Sequence, residues 1–297
     1  MTYAPAHSGP RDGRIANAMT VDVEDYFQVQ AFFDHIDRGS WDAHKSRVER
    51  NVDEILQLFA DAQVKATFFT LGWIAERHPD MVRRIVGAGH ELASHGYAHF
   101  RADGHTPDQF RDDVRKTKKI LEDIGGTRIK GYRAASFSIG KKNLWAFKVL
   151  EEEGHIYSSS VYPIRHDLYG MPDAPRFSFY PIAGSPFIEI PVTTNEMFGM
   201  NLPCGGGGYF RLLPYGLSTW QMRRVNRRDR QPCMFYFHPW EIDPGQPVQE
   251  GVSLKTRVRH YTNLTRMRGR LQRLLGEFAW GRMDEVFAVD RQQTRAA

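Results

Sequence analysis

The sequence predicts an α/β protein, either a barrel or a doubly wound sheet, on two observations. Runs rich in β-branched and aromatic residues alternate with runs whose apolar residues recur at helical spacing, which implies parallel strands joined by right-handed crossovers. The chemically able side chains gather where predicted strands end, as an active site on either architecture requires. With 297 residues, 41% of them hydrophobic and 12% aromatic, the chain can bury one large core or two smaller ones and is not disordered over most of its length.

The first 17 residues, "MTYAPAHSGPRDGRIAN", read as a flexible tail of Pro, Gly and charge. A strand over residues 15–23 follows and empties into the acids of "VDVEDYF". Val48, Val52, Ile55, Leu56 and Phe59 share a helical stripe, and "KATFFTLG" is the next strand. A helix opened by Pro79 and closed at Gly87 and Gly89 leads to the strand "HELASH". Thr106 caps the following helix, Pro107 starts it, Phe110, Val114, Thr117, Ile120, Leu121 and Ile124 form its apolar stripe, and Gly125–Gly126 end it. "IKGYRA", a helix over residues 142–153, then "HIYSSSVYP", "FIEIPVT" and "CMFYFHPW" complete the alternation.

Two stretches interrupt it. Residues 163–186 form a proline-rich loop, and "GMNLPCGGGGYFRLLP" carries four consecutive glycines that permit close backbone approach to a ligand. No Gly-Lys-Ser/Thr follows them and no dinucleotide spacing is present, so nucleotide binding is not expected.

The formal charge of +5 describes an ordinary basic surface and calls for no nucleic-acid partner. Two cysteines, Cys204 and Cys233, suggest neither a disulfide framework nor a thiolate metal site, and fit a reducing compartment. Neither a signal-peptide h-region nor an apolar run of membrane-spanning length is visible, so a cytoplasmic location and no transmembrane segment are the expectation.

The chemistry starts from "HGYAH". His95 and His99 sit four apart, on a helical turn or a strand-to-loop bend, and can grip one metal ion if a third ligand converges from elsewhere. The acids of "DVED" offer it, and an oxygen–nitrogen–nitrogen site with open positions has the layout of a hydrolytic centre. Asp22 is the expected general base. For the ligand, strand alternation favours Glu24, whereas a strand that breaks at the mouth turns Asp25 inward instead. Arg133, at a strand end, would pair with Asp22, and His238 would protonate a leaving amine as general acid. Tyr132 or the backbone N–H after Arg133 would hold an oxyanion, and Trp240, two residues after His238, is the aromatic expected to stack on a ring of the substrate. His90, His105, His155 and His260 are read as core residues.

Taken in order, "TVDVEDY", "SHGYAH", "GYRAASF", "YSSSVYP" and "FYFHPW" resemble the five motifs of the NodB-homology polysaccharide deacetylases, carbohydrate esterase family 4, over about residues 18–245. Within that family the chain is most similar to the subfamily of exosortase and PEP-CTERM exopolysaccharide loci, whose extra C-terminal region matches "GGGGYFRLLPY" and "RHYTNLTRMRGRLQRLL". The resemblance implies a distorted (β/α)7 barrel over residues 18–250 with a helical C-terminal extension over residues 251–297. It implies a divalent metal, zinc or else cobalt or nickel, and hydrolysis of N-acetyl groups on N-acetylhexosamine units of a polysaccharide, an oligosaccharide or a lipid-linked precursor met before export. Position by position it makes Asp22 the base, His95 and His99 ligands, Arg133 the residue that orients the base and His238 the acid.

Two departures bear on the reading. The usual adjacent acid pair is stretched to "DVED", as in allantoinase-like relatives, which makes Glu24 the matching ligand and an amidohydrolase of a small cyclic amide the competing function. Where many members carry an aspartate in the fourth motif, this chain has Ser158, so His238 must find another partner, Glu241 or Asp243, or else the barrel binds carbohydrate without catalysis. Beyond residue 250, Leu264, Met267, Leu271, Leu274 and Leu275 make an apolar stripe with Arg266, Arg268, Arg270 and Arg273 around it. That helix is expected to pack on the barrel, with its arginines either solvated or meeting an anionic polymer or a saccharide diphosphate.

Overall fold

The structure, a computed structural model, describes residues 3–6, 15–166 and 169–289. Among these, seven parallel strands form one curved sheet: β1 (Ala16–Val23), β2 (Thr67–Thr70), β3 (Glu91–Ser94), β4 (Gly131–Tyr132), β5 (Tyr157–Ser158), β6 (Ile188–Glu189) and β7 (Met234–Phe237). They run in the order β6-β5-β4-β3-β2-β1-β7. Between the two end strands the seam is closed without a ladder. The Met234 N–H donates to Thr193 Oγ1 at 2.6 Å, and the Tyr236 N–H donates to the Gly205 carbonyl at 2.8 Å. This seam is the distortion of the barrel.

The crossover helices appear where apolar spacing placed them. Helix Pro107–Gly125 has Thr106 as its cap, with the Gln109 N–H donating to the threonine hydroxyl, and Gly126 ends it in the left-handed region. Strands β5 and β6 are much shorter than the apolar runs that carry them. The reason is Glu189, whose carboxylate accepts the N–H groups of Ser160 and Val161 at 2.8 Å and so takes those donors off the ladder. A short helix after β2, Gly72–Arg77, and the 3-10 turns over residues 26–43 have no periodicity long enough to be read.

Two terminal pieces join the sheet. Ala4–Pro5, at the start of the polar N-terminal stretch, pairs antiparallel with Phe179–Tyr180; residues 7–14 lie outside the described ones. After helices Leu254–Tyr261 and Leu264–Glu277, Ala279–Gly281 pairs in parallel with Ala16–Ala18 of β1. The expected stripe of Leu264, Met267, Leu271, Leu274 and Leu275 is buried. Arg270 donates to the carbonyls of Arg211 and Leu213, Arg268 pairs with Glu54 and Arg273 with Glu277, so these three arginines are engaged within the chain. No helix among the described residues is long and apolar enough to cross a membrane.

At the start of β3, Glu91 is buried and receives the hydroxyls of Thr67 and Tyr157 and the Asp284 N–H. Burial, with Asp284 beside it, pushes its carboxyl up to about 8. The folded chain therefore keeps a proton that the unfolded chain releases near the ordinary glutamate pKa. The contribution is full below that ordinary value and is lost as pH rises through the folded one. Glu91→Gln keeps the shape and cannot ionise, so thermal melts should show a higher Tm than the native chain at about pH 8 and a flatter decline from about pH 5. A decline as steep as the native one would contradict this account.

Candidate active site

β1 ends at Val23, and the Glu24 N–H turns back to the Asp22 carbonyl at 3.0 Å, so the chain bends at the barrel mouth with both Asp22 and Glu24 buried. β4 delivers Arg133, whose side chain is fully enclosed. Its guanidinium donates to Asp22 Oδ1 and, at 2.9 Å, to Thr20 Oγ1, while its other nitrogens reach the Ser159 hydroxyl at 3.1 Å and carbonyl at 3.3 Å. The ring of Phe69 lies 3.9 Å below the cation. A buried arginine held on all sides fixes the orientation of the carboxylate it pairs with.

"HGYAH" forms a strand-to-loop bend rather than a helical turn. Gly96 takes φ 74°, and a Cβ there would press on the Asp113 carboxylate, which accepts the Tyr97 N–H at 3.2 Å. Burial pushes Asp113 up to about 6. Arg38 clamps the far side of the loop by donating to the carbonyls of Ala98 at 2.9 Å and His99 at 3.1 Å. The bend brings His95 and His99 beside Glu24, with one donor atom of each within 4.8 Å of the others and all three side chains buried.

These three residues fit a divalent metal. His95 Nδ1 stands 2.8 Å from the Arg133 carbonyl, so that nitrogen carries the proton and Nε2 presents its lone pair. Among the described residues that buried Nε2 has no hydrogen-bond partner, which is the arrangement of a ligand aimed at a cation. Burial holds His95 down to about 4, so it is neutral, as a ligand must be. Burial opposes the charge on Glu24, but the imidazoles of His99 and His238 outweigh it and hold the carboxyl down to about 2. Two imidazoles and one carboxylate suit zinc-like ions.

β7 ends at Phe237 and presents His238. Its Nε2 lies 3.4 Å from Glu24 Oε1 and 4.0 Å from Asp22 Oδ2, while Nδ1 is 2.8 Å from Glu241 Oε1. Burial works against its proton, but Glu24 and Glu241 outweigh that and raise it to about 9. Glu241 is in turn held by Arg211, whose Nε donates at 2.6 Å; both are fully buried. The remaining donors of Arg211 go to the carbonyls of Arg259, His260 and Thr262.

Comparison with known proteins agrees with this geometry. Residues 32–152 match the family model described as polysaccharide deacetylase. Over those residues the chain is similar to the polysaccharide deacetylases. After them, residues 159–288 match a domain of unknown function, DUF3473. A peptidoglycan-N-acetylglucosamine deacetylase of Bacillus cereus is 36% identical over 94 residues, which is 31% of this chain and 34% of that protein. The chain thus spans about a third of the length of that relative. Among solved structures, a Mycobacterium smegmatis protein assigned to the polysaccharide deacetylases has the same fold, with a TM-score of 0.65 at 20% identity over 99% of this chain and 96% of that one. The allantoinase Puue shares the fold as well, with a TM-score of 0.59 at 19% identity over 95% and 94%.

At the barrel mouth the choice left open between Glu24 and Asp25 falls to Glu24, which lies with His95 and His99. Asp25 caps two helix starts instead, accepting the N–H groups of Tyr26 at 2.8 Å and Val48 at 3.0 Å and the Ser46 hydroxyl at 2.9 Å. Tyr132 is not at the mouth either. It alternates with Arg133 along the strand, so its side chain points outward and packs against Phe110 and His155. The N–H after Arg133, on Ala134, is taken by the Ser160 hydroxyl at 2.9 Å. Trp240 offers no free face to a sugar, because it is sandwiched between His238 and His260; its Nε1 donates to Glu24 Oε1 at 3.2 Å and so orients the ligand.

The partner sought for His238 is Glu241; Asp243 pairs with Arg47 and Arg50. Three of the four glycines, Gly205, Gly206 and Gly207, serve packing. A Cβ on Gly207 would overlap the Glu241 carboxylate, and one on Gly205 the Met234 carbonyl, so the close approach is to β7 and the turn that follows it. Arg211, Arg38 and Asp113 had no sequence signal. Each acts on a partner distant in the chain, and neither spacing nor periodicity reports such contacts.

Proposed function

We propose that the protein is a metal-dependent hydrolase that removes N-acetyl groups from N-acetylhexosamine units of a cell-surface polysaccharide or exopolysaccharide, or of its lipid-linked precursor. The observation that carries this reading is the convergence, at the ends of β1, β3, β4 and β7, of three metal ligands with a base held by an arginine and an acid held by a carboxylate. A divalent ion held by Glu24, His95 and His99, zinc by preference with cobalt or nickel as substitutes, supplies Lewis-acid polarisation of the acyl group. Asp22, oriented by Arg133, takes a proton from the attacking water as its oxygen bonds to the acyl carbon. His238 gives its proton to the amine nitrogen as the C–N bond breaks, leaving acetate and a free amino sugar. A site on the cytoplasmic side, before export, suits two buried free thiols, Cys204 and Cys233. The setting proposed is that of the exosortase-associated subfamily, on the resemblance of "GGGGYFRLLPY" and "RHYTNLTRMRGRLQRLL", both within the residues that match DUF3473.

The stretched "DVED" spacing favours one competing substrate class, a small cyclic amide. Acetate release from N-acetylglucosamine oligomers should be measured on the metal-loaded protein, the chelated protein and the chelated protein given back zinc, with a cyclic ureide as the parallel substrate. Release that disappears on chelation and returns with zinc is expected. Opening of the ureide without acetate release would move the assignment to an amidohydrolase, and saccharide binding without either reaction would leave a binding barrel.

A further inference from the structure

The helix Leu254–Tyr261 turns one face to the core and an unusual face to solvent. His260, on the inner face, stacks on Trp240 with ring centroids 4.1 Å apart, so the helix lies against the catalytic mouth. Its outward crest is apolar: Leu254 and Val258, one turn apart, are 77% and 47% exposed. Val248, 55% exposed, stands on a loop tied to the C-terminal end of the helix by the Gln249 N–H donating to the Tyr261 hydroxyl at 2.7 Å. Lys255, Arg257 and Arg259 flank the crest, all exposed. Residues 251–261, which contain this helix, carry Lys255, Arg257 and Arg259 and no Asp or Glu.

We infer that this crest is a bilayer-docking surface that seats the catalytic mouth on an anionic membrane. Short aliphatic side chains between cations are the pattern of a helix lying in a headgroup layer, where the apolar crest enters the acyl boundary and the cations meet lipid phosphates. A second protein is a poor fit, since three aliphatic side chains cover far less than the roughly 1,000 Å² that a stable protein interface buries. The arrangement goes beyond the deacetylase reading. Where that reading holds, it also places the site where a saccharide carried on a lipid would be met.

Co-sedimentation with phosphatidylcholine vesicles, and with vesicles that also contain phosphatidylglycerol, tests the inference without any activity readout, so it stands or falls apart from the deacetylase assignment. The full chain should sediment with the anionic vesicles and remain in solution with the neutral ones, and added salt should release it. Leu254→Ser/Val258→Ser should weaken binding by about tenfold with an unchanged melting curve. Lys255→Gln/Arg257→Gln should weaken it comparably. Absence of binding to anionic vesicles, or equal binding by the native chain and the Leu254→Ser/Val258→Ser variant, would overturn it. So would a dimer in sedimentation velocity that the same substitutions disperse, because a second copy would then cover the crest.

Discussion

Replacing His95 and His99 together by alanine is expected to remove both the bound metal and all measurable acetate release. Each imidazole supplies one of three donors, and a lone Glu24 carboxylate cannot hold a divalent ion in competition with water. The deleted rings are buried, yet they leave the β3 ladder intact, so the variant should stay folded. Elemental analysis of the purified variant beside the native chain is the measurement, and about one ion per chain retained by the variant would show that the ligands lie elsewhere. Asp22→Asn separates binding from chemistry in the same assay. It should keep the metal and lose roughly 10²–10⁴ in kcat, as removal of a positioned base does.

Glu241→Gln should be strongly destabilising and should also shift the pH dependence of activity. It leaves the Arg211 guanidinium enclosed against a neutral amide, and breaking a buried pair in this way costs about 3–5 kcal/mol, readable as a fall in the denaturation midpoint. The second consequence is electrostatic. His238 is held protonated up to about 9 by Glu24 and Glu241 against the opposing effect of burial. A cation on Glu24 offsets much of that carboxylate's share, which leaves Glu241 as the principal support. Without it the imidazole gives up its proton at lower pH, so the alkaline arm of the kcat profile should move toward neutrality. An unshifted arm in a folded variant would mean that Glu241 acts on stability alone and does not hold the proton on His238.

Both expectations depend on how differently the two halves of the site were legible. Asp22, His95, Arg133 and His238 each sit at or just past the end of a strand, and strand ends announce themselves through the switch from β-branched runs to polar residues. Choosing Glu24 over Asp25 needed more, because the chain bends at Val23 and only the capping bonds from Tyr26 and Val48 show where the second carboxylate goes. Trp240 misled for a related reason. An aromatic two residues from the acid suits a sugar platform equally well until His260, arriving from the C-terminal region, is seen to cover its other face.

The alternation of strands and helices, the helix caps and the ligand spacing belong to the sequence, since they depend on contacts within a few residues along the chain, which periodicity and local hydrogen bonding encode. The Glu241–Arg211 support of His238, the Arg38 clamp on the histidine loop and the seam between Gly205 and β7 were decided only by the tertiary structure. Each joins residues from about 30 to 60 positions apart, and nothing local distinguishes a buried partner from a solvated one until the barrel closes and removes the water.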